Sequence, residues 1–471
     1  MTTRTRTNPN ATGPAPGDAP AEKVYWCELA WLNGTVEPQV VLEVTGQGRL
    51  GAIRTAVGTP PPGATVLRGL TLPGLANAHS HAFHRALRGT VQVGSGTFWT
   101  WRDSMYQTAA RLTPDSYYTL ARAVYAEMAL AGITCVGEFH YLHHGPGGER
   151  YDDPNAMSHA LVAAAADAGI RITLLDTAYL ASGIGRKGRG EAPTRQQLRF
   201  SDGTAQAWAE RVSAFRPQGD HVRTGAAVHS VRAVPARELG TVAQWAEERG
   251  APLHVHLSEQ TAENEACLGV HGMTPTALLA EHGVLTPRTT AVHATHLDKD
   301  DIRRIGRSGT GVCMCPTTER DLADGIGPAP ALDRAGAALS LGSDSHAVID
   351  LFEEARALEL DERLASRTRG HWTAGQLLRA ATEGGHTALG WPESSRLETG
   401  ALADFTTVGL DSVRTAGPVP RLAAEVAVFA ATAADVRHTV VGGRHIVRDG
   451  AHTLVDDVPA ALAHAIAALR P

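Results

Sequence analysis

Cysteine is scarce in this chain. There are five in 471 residues, at 27, 135, 267, 313 and 315, with no CxxC pair and a single C-M-C. That count and scatter exclude a disulfide framework, and reduced thiols fit a cytoplasmic setting. Cys313 and Cys315 read as small core residues of a buried strand. Long apolar runs are missing as well: none approaches the ~18 residues of a membrane-spanning helix, so no membrane contact is expected. Nor is charge of one sign concentrated anywhere. Lys and Arg total 43 against 49 Asp and Glu, a formal net charge of -6, and the basic residues are scattered. A nucleic-acid surface is not expected from that pattern.

With 43 % hydrophobic residues, the chain can build a large core. Its organisation reads in four parts. Residues 1–22, rich in Thr, Pro, Ala and Gly without apolar periodicity, read as a disordered tail. Residues 23–69 are all-β in character, with VYWCELAWL and PQVVLEV broken by Asn-Gly and GQG. From 70 to 394 short apolar runs alternate with helical patterns. The runs are TLPGLANA, GITCVGEFH, GIRITLLD, VRTGAAVH, APLHVHLS, TTAVHATH, TGVCMCP and AALSLGSD. Eight β-then-α units in succession predict a closed parallel sheet, the (β/α)8 TIM-like barrel. A doubly wound open sheet is the competing architecture. Its glycine fingerprint is matched by GIGRKG at 183–188, but this runs on into RGEAP instead of opening an apolar helix, so it reads as a loop. Residues 395–471 turn β-rich again and end in a helix. The two β segments are expected to pair into one small sandwich beside the barrel.

Barrel chemistry gathers at the C-terminal ends of the strands, and titratable residues recur there. His79 and His81 end the first run, His140 and Tyr141 the second, and His229 the fourth. The fifth ends in His256 and Glu259, the sixth in His293 and the eighth in Asp344. Residues i and i+2 of a strand share a face, so His79 and His81 can both aim into the barrel mouth. With His256 and Asp344 they would make three imidazoles and a carboxylate, a set suited to Zn2+ or Fe2+ with one position left for water. An isolated HxH is more often surface or polar filler; the recurrence on other strand ends is what favours ligands.

PGLANAHSH, HVHLSE, AVHATH and LGSDSH together resemble the amidohydrolase superfamily, in its single-metal deaminase branch. LETGALADFTTVGLD is similar to that superfamily's G-x-x-A-D signature in a small β-sandwich. The resemblance implies one divalent metal, held by His79, His81, His256 and Asp344. No lysine ends the fourth run, where a two-metal member would carry a bridging one. TFWTWRDSMY, GEFHYLHHG, HSVRAV and TTERDLADGIGP resemble, more narrowly, the formimidoylglutamate deiminase family, in order from about residue 70 to 350. That resemblance places Arg102, Tyr141, His229 and Arg232 at substrate-contacting positions. It also marks a departure: the family often has glutamine, as a substrate contact, where this chain has His84, which is expected to take the substrate-binding position.

The implied reaction is hydrolysis of the formimino group of N-formimino-L-glutamate to N-formyl-L-glutamate and ammonia, a step of histidine degradation. Water acidified by the metal would attack, with Asp344 accepting its proton. Glu259 would carry a proton to the leaving nitrogen, and His293 would hydrogen-bond the hydroxide and the developing charge. Arg102 and Arg232 would clamp the carboxylates; surface ion pairs are their ordinary alternative. His140, His143, His144, His254, His296 and His346 are expected to pack around the site, not to bind metal, and Trp99 and Trp101 to shape the pocket. A homodimer is implied by analogy only. Two other readings stay open: a deaminase of a purine, pterin or triazine, which aromatic partners in the mouth would favour, and a silent barrel serving as a scaffold, which missing ligands would favour.

Overall fold

The computed structural model describes residues 21–470. The expected tail therefore lies outside the described residues except for Ala21 and Glu22. These two already belong to the first strand, so ordered β-structure starts ahead of the expected residue 23.

Among the described residues sixteen strands follow one another. The first four are β1 (Ala21–Leu32), β2 (Thr35–Thr45), β3 (Leu50–Arg54) and β4 (Thr65–Pro73). Next come β5 (Leu75–Ser80), β6 (Ile133–His140), β7 (Arg171–Ala178) and β8 (Val222–Val228). They are followed by β9 (Leu253–Leu257), β10 (Thr289–His293), β11 (Gly311–Met314) and β12 (Leu339–Leu341). The last are β13 (Phe405–Val408), β14 (Val436–Val441), β15 (Arg444–Arg448) and β16 (Ala451–His452).

β5 to β12 form one parallel sheet in sequential order, the eight runs expected from the sequence. Every residue of β5, β6 and β7 is buried, which is why these strands read as continuous apolar runs without alternation. The sheet closes through a single bridge between Ser80 and Asp344, with Asp344 N–H donating to the His79 carbonyl at 3.0 Å. Closure therefore brings the first and last strand ends, and the side chains they carry, to one point.

The expected helices form around the sheet for local reasons. Pro114–Leu130 starts at a Thr113–Ser116 capping box with proline in its first turn. Lys299–Ser308 starts on the Asp298 side chain and stops at Gly309 in the left-handed region (φ +70°). Among the helices that the sequence pattern did not predict, Phe98–Ala109 and Thr261–His271 end up at the site. Among the described residues no helix is long and apolar enough to cross a membrane.

The remaining strands make a second sheet, ordered β16-β15-β14-β13-β4-β1-β2-β3, antiparallel except between β1 and β4. Chain from both ends meets in it where β13 pairs with β4. The apolar run TLPGLANA is thus divided between two sheets at Gly74, where a Cβ would come within 2.1 Å of Thr134 Oγ1; only glycine lets the chain pass there. Asp404 of the G-x-x-A-D stretch pins the sheets together. Its buried carboxylate takes Nε and Nη2 of Arg171 on β7 at 2.6 and 3.1 Å, and the N–H of Gly442 at 2.6 Å.

Candidate active site

The ends of β5, β9, β10 and β12 deliver His79, His256, His293 and Asp344 so that one ligand atom from each lies within 4.8 Å of the others. His79 Nε2 is 3.1 Å from His256 Nε2 and 3.3 Å from Asp344 Oδ1. His81, just past β5, puts its Nε2 3.4 Å from the same oxygen. The other three sequence-expected ligands therefore gather around Asp344, and His293 joins them. His293 (φ +67°) and Asp344 (φ +40°) hold positive φ values that non-glycine residues seldom adopt. Strain of this kind persists where the surrounding fold fixes a functional side chain. No alternation pattern in the sequence could have shown it.

The donor set fits a divalent ion. His81 Nδ1 bonds the Phe139 carbonyl at 3.0 Å, and His256 Nδ1 the His229 carbonyl at 2.9 Å. An acceptor at Nδ1 fixes the proton there and leaves the Nε2 lone pair facing inward, the arrangement of a metal-ligating imidazole. Burial, with neighbouring imidazoles adding to it, keeps both rings neutral: His81 is lowered to about 3, and His256 lies well below its ordinary value. Asp344 stays ionised. Burial opposes its charge, but the hydrogen bond from His79 and the surrounding rings outweigh it. Three neutral imidazoles and one carboxylate form a set suited to Zn2+ or Fe2+.

Behind these groups runs a buried polar chain. Ser80 Oγ meets Glu138 Oε2 at 2.9 Å and His346 Nε2 at 3.0 Å, and His346 Nδ1 meets Ser343 Oγ at 2.9 Å. His346 thus braces the strand between two candidate ligands. His254, bonded to the Ala388 carbonyl at 3.0 Å, is a core residue.

Glu259 and His293 face one another, Oε1 to Nε2, at 3.8 Å, and Asp344 Oδ2 is 3.7 Å from the same nitrogen. Burial raises Glu259 above the ordinary carboxylate value. Burial would lower His293, but Glu259, Glu319 and Asp344 together hold it well above. Glu319 is one of the groups the sequence reading passed over. Its Oε1 lies 3.4 Å from His293 Nδ1 and accepts the N–H of Cys315 at 2.9 Å.

His81, His256, Glu259, His293 and Asp344 line a cavity whose wall also includes His84, Arg102, Tyr141, His229 and Arg232. His84 Nε2 bonds the Tyr141 hydroxyl at 2.9 Å. Arg102 sits on the helix Phe98–Ala109, 4.4 Å from the Trp99 ring, with its Nε buried and unpartnered and no carboxylate in ion-pair range among the described residues. Arg232, expected to clamp a substrate carboxylate, is already paired with protein carboxylates. Its Nε donates to Glu263 Oε2 at 2.7 Å, and its Nη2 is 3.8 Å from Glu259 Oε2. Glu263 is anchored in turn by the Ser258 N–H at 3.0 Å. It lies four residues after Glu259, and helical spacing would have flagged it had TAENEACLGVH been read as a helix. Phe98, Trp101, Tyr106, Tyr141 and Tyr179 make the wall more aromatic than expected.

Residues 70–446 match the model of the amidohydrolase family. Formimidoylglutamate deiminase of Pseudomonas aeruginosa is 36 % identical over 392 residues, covering 81 % of this chain and 84 % of that protein. 8-Oxoguanine deaminase of the same organism is 32 % identical over 373 residues, 76 % of this chain and 78 % of that protein. The crystal structure of an amidohydrolase from Brucella melitensis superposes with a TM-score of 0.85 at 31 % identity, over 95 % of this chain and all of that one.

Proposed function

Because the chain belongs to the amidohydrolase family and is a hydrolase, we propose that it hydrolyses the formimino group of N-formimino-L-glutamate, as in histidine degradation. The carrying observation is Arg102: a guanidinium without a carboxylate partner among the described residues, in the same cavity as His81, His256 and Asp344. An unpaired guanidinium facing a cavity favours an anionic group in it. The substrate carries one carboxylate on the carbon that bears its amidine nitrogen and a second at the far end of its side chain.

His79, His81, His256 and Asp344 would hold one divalent ion, Zn2+ being the ion proposed. Such an ion, when bound, lowers the pKa of a water from ~15.7 towards ~7. The amidine carbon, with its nitrogens protonated, is already electrophilic. Water adds to it, ammonia leaves, and the N-formyl amide remains. Asp344 accepts the proton of the attacking water. Glu259, held above the ordinary carboxylate value by burial, carries a proton to the departing nitrogen, a transfer that typically contributes ~10²- to 10⁴-fold. His293, oriented by Glu319, donates to the developing oxygen charge. Arg102 and Arg232 bind the carboxylates, with Glu263 fixing the orientation of Arg232. His84 and Tyr141 set the depth of the pocket through their shared hydrogen bond.

The aromatic wall favours a second reading, deamination of a heteroaromatic ring, and the likeness to 8-oxoguanine deaminase supports it. Ammonia release from N-formimino-L-glutamate, guanine and 8-oxoguanine by the zinc-loaded protein separates the two. Turnover of the first substrate alone is expected. Turnover of a purine without the glutamate derivative would replace the first reading by the second. Silence on all three with less than about half an equivalent of metal, irrecoverable on adding Zn2+, would support the scaffold reading.

A further inference from the structure

One arrangement in the cavity wall has no part in the chemistry above. The buried amide of Gln197 donates from Nε2 to two phenol oxygens, Tyr106 Oη at 3.0 Å and Tyr179 Oη at 2.8 Å. The amide is not free to turn over, because its Oε1 accepts the N–H of Thr194 at 2.9 Å. Each phenol oxygen thus accepts a hydrogen bond and keeps its own O–H to donate. The two oxygens are 3.5 Å apart, so one hydroxyl can at most donate weakly to the other. At least one O–H is left without an acceptor among the described residues.

Both rings line the cavity, whereas Gln197 does not. The Arg102 guanidinium lies 5.6 Å from the Tyr106 ring, on the same helix four residues earlier. Burial pushes the Tyr179 hydroxyl well above its ordinary value, with the charge of Arg232 opposing, so it is a neutral donor and not a phenolate. A wall that offers protons beside a guanidinium, and whose own acceptors are already taken, selects an anionic oxygen.

We propose that Tyr106 and Tyr179, held by Gln197, form a carboxylate-recognition element that works with Arg102 on one end of a dicarboxylate substrate. This rests on the reading that the substrate is an N-formimidoyl amino dicarboxylic acid. Tyr106 and Tyr179 are the contact residues; Gln197 is a positioning residue.

The test uses binding, so that it does not depend on turnover. The zinc-loaded wild type, Tyr106→Phe, Tyr179→Phe and Gln197→Glu are titrated calorimetrically with N-formyl-L-glutamate and with its two mono-amides. Melting temperatures report folding separately. Each Tyr→Phe change is expected to raise Kd for the dicarboxylate about tenfold. Gln197→Glu replaces a donor by an acceptor, turns the phenol protons away from the cavity, and is expected to raise Kd at least as much. For one of the two mono-amides the same changes should alter Kd less than about twofold, a difference that general loosening of the pocket would not produce. Unchanged Kd for the dicarboxylate in all three variants overturns the proposal, as does a wild type that binds both mono-amides as tightly as the dicarboxylate. Ammonia release from N-formimino-L-glutamate is measured alongside. Tyrosine-dependent binding without turnover would keep this element and sink the proposed reaction. Turnover indifferent to all three changes would do the reverse.

Discussion

Two histidine clusters in this barrel look alike on paper and differ in what they can do. His79, His256, His293 and Asp344 bring ligand atoms within 4.8 Å of one another, and so do His140, His143 and Asp176. All are buried. At the first, the carboxylate meets the imidazoles of His79, His81 and His293, and His256, bonded to a carbonyl through Nδ1, keeps its Nε2 lone pair free to face them. At the second, Asp176 is already taken. Arg211 donates to both its oxygens at 2.9 and 2.7 Å, and Trp208 Nε1 to one of them at 2.9 Å. His143 Nε2 is turned to the Thr177 carbonyl at 2.9 Å. A cation there would face a buried guanidinium. Residue type and proximity thus do not make a metal centre; the prior commitments of the carboxylate decide it.

The largest test of that contrast is Asp344→Asn. It should reduce turnover by at least ~10⁴-fold and lower bound metal below one equivalent, whereas Asp176→Asn should keep a full equivalent. Metal analysis finding two equivalents, the second lost in Asp176→Asn, would break the comparison. Glu259→Gln comes next, with kcat down ~10²- to 10⁴-fold at unchanged metal content; a kcat within a factor of three of wild type would remove Glu259 from the proton path. Asp176→Ala removes one of the two carboxylates that hold Arg211, leaving Asp202 Oδ2 at 3.0 Å, and should cost about 1–3 kcal/mol in denaturant unfolding of the zinc-loaded protein. A loss under ~1 kcal/mol would mean that the ion pair does not hold the second cluster. The smallest effect concerns pH. Burial lowers His143 from 6.5 to about 4. A depressed histidine contributes stability that is present above the unfolded value and lost as pH falls towards the folded one. Melting temperature should therefore decline between pH ~6.5 and ~4, and His143→Asn should flatten part of that slope; an identical slope in the variant would show that other groups set it.

Much of this was legible in the chain. Eight apolar runs separated by amphipathic stretches imply eight strands, and parallel strands need crossovers of helical length. HxH at one strand end and polar residues at several others marked the mouth, because side chains alternate along strands. Arg102 and Arg232 were legible as residues but not as states. Nothing in HSVRAV says that Arg232 would meet Glu263, since that contact depends on Thr261–His271 folding as a helix beneath it. His84 was legible as a replacement for glutamine, yet its partner Tyr141 lies 57 residues away.

By itself, then, the sequence determined the local matters: strand and helix periods, the capped helix starts, and which side chains stand at strand ends. Tertiary structure alone decided which of the buried histidines keep a free lone pair and which carboxylates remain uncommitted. The reason is physical. Periodicity is a property of neighbouring residues, but a free donor or acceptor is defined by every group packed around it, and barrel closure at Ser80 and Asp344 is what brings those groups together.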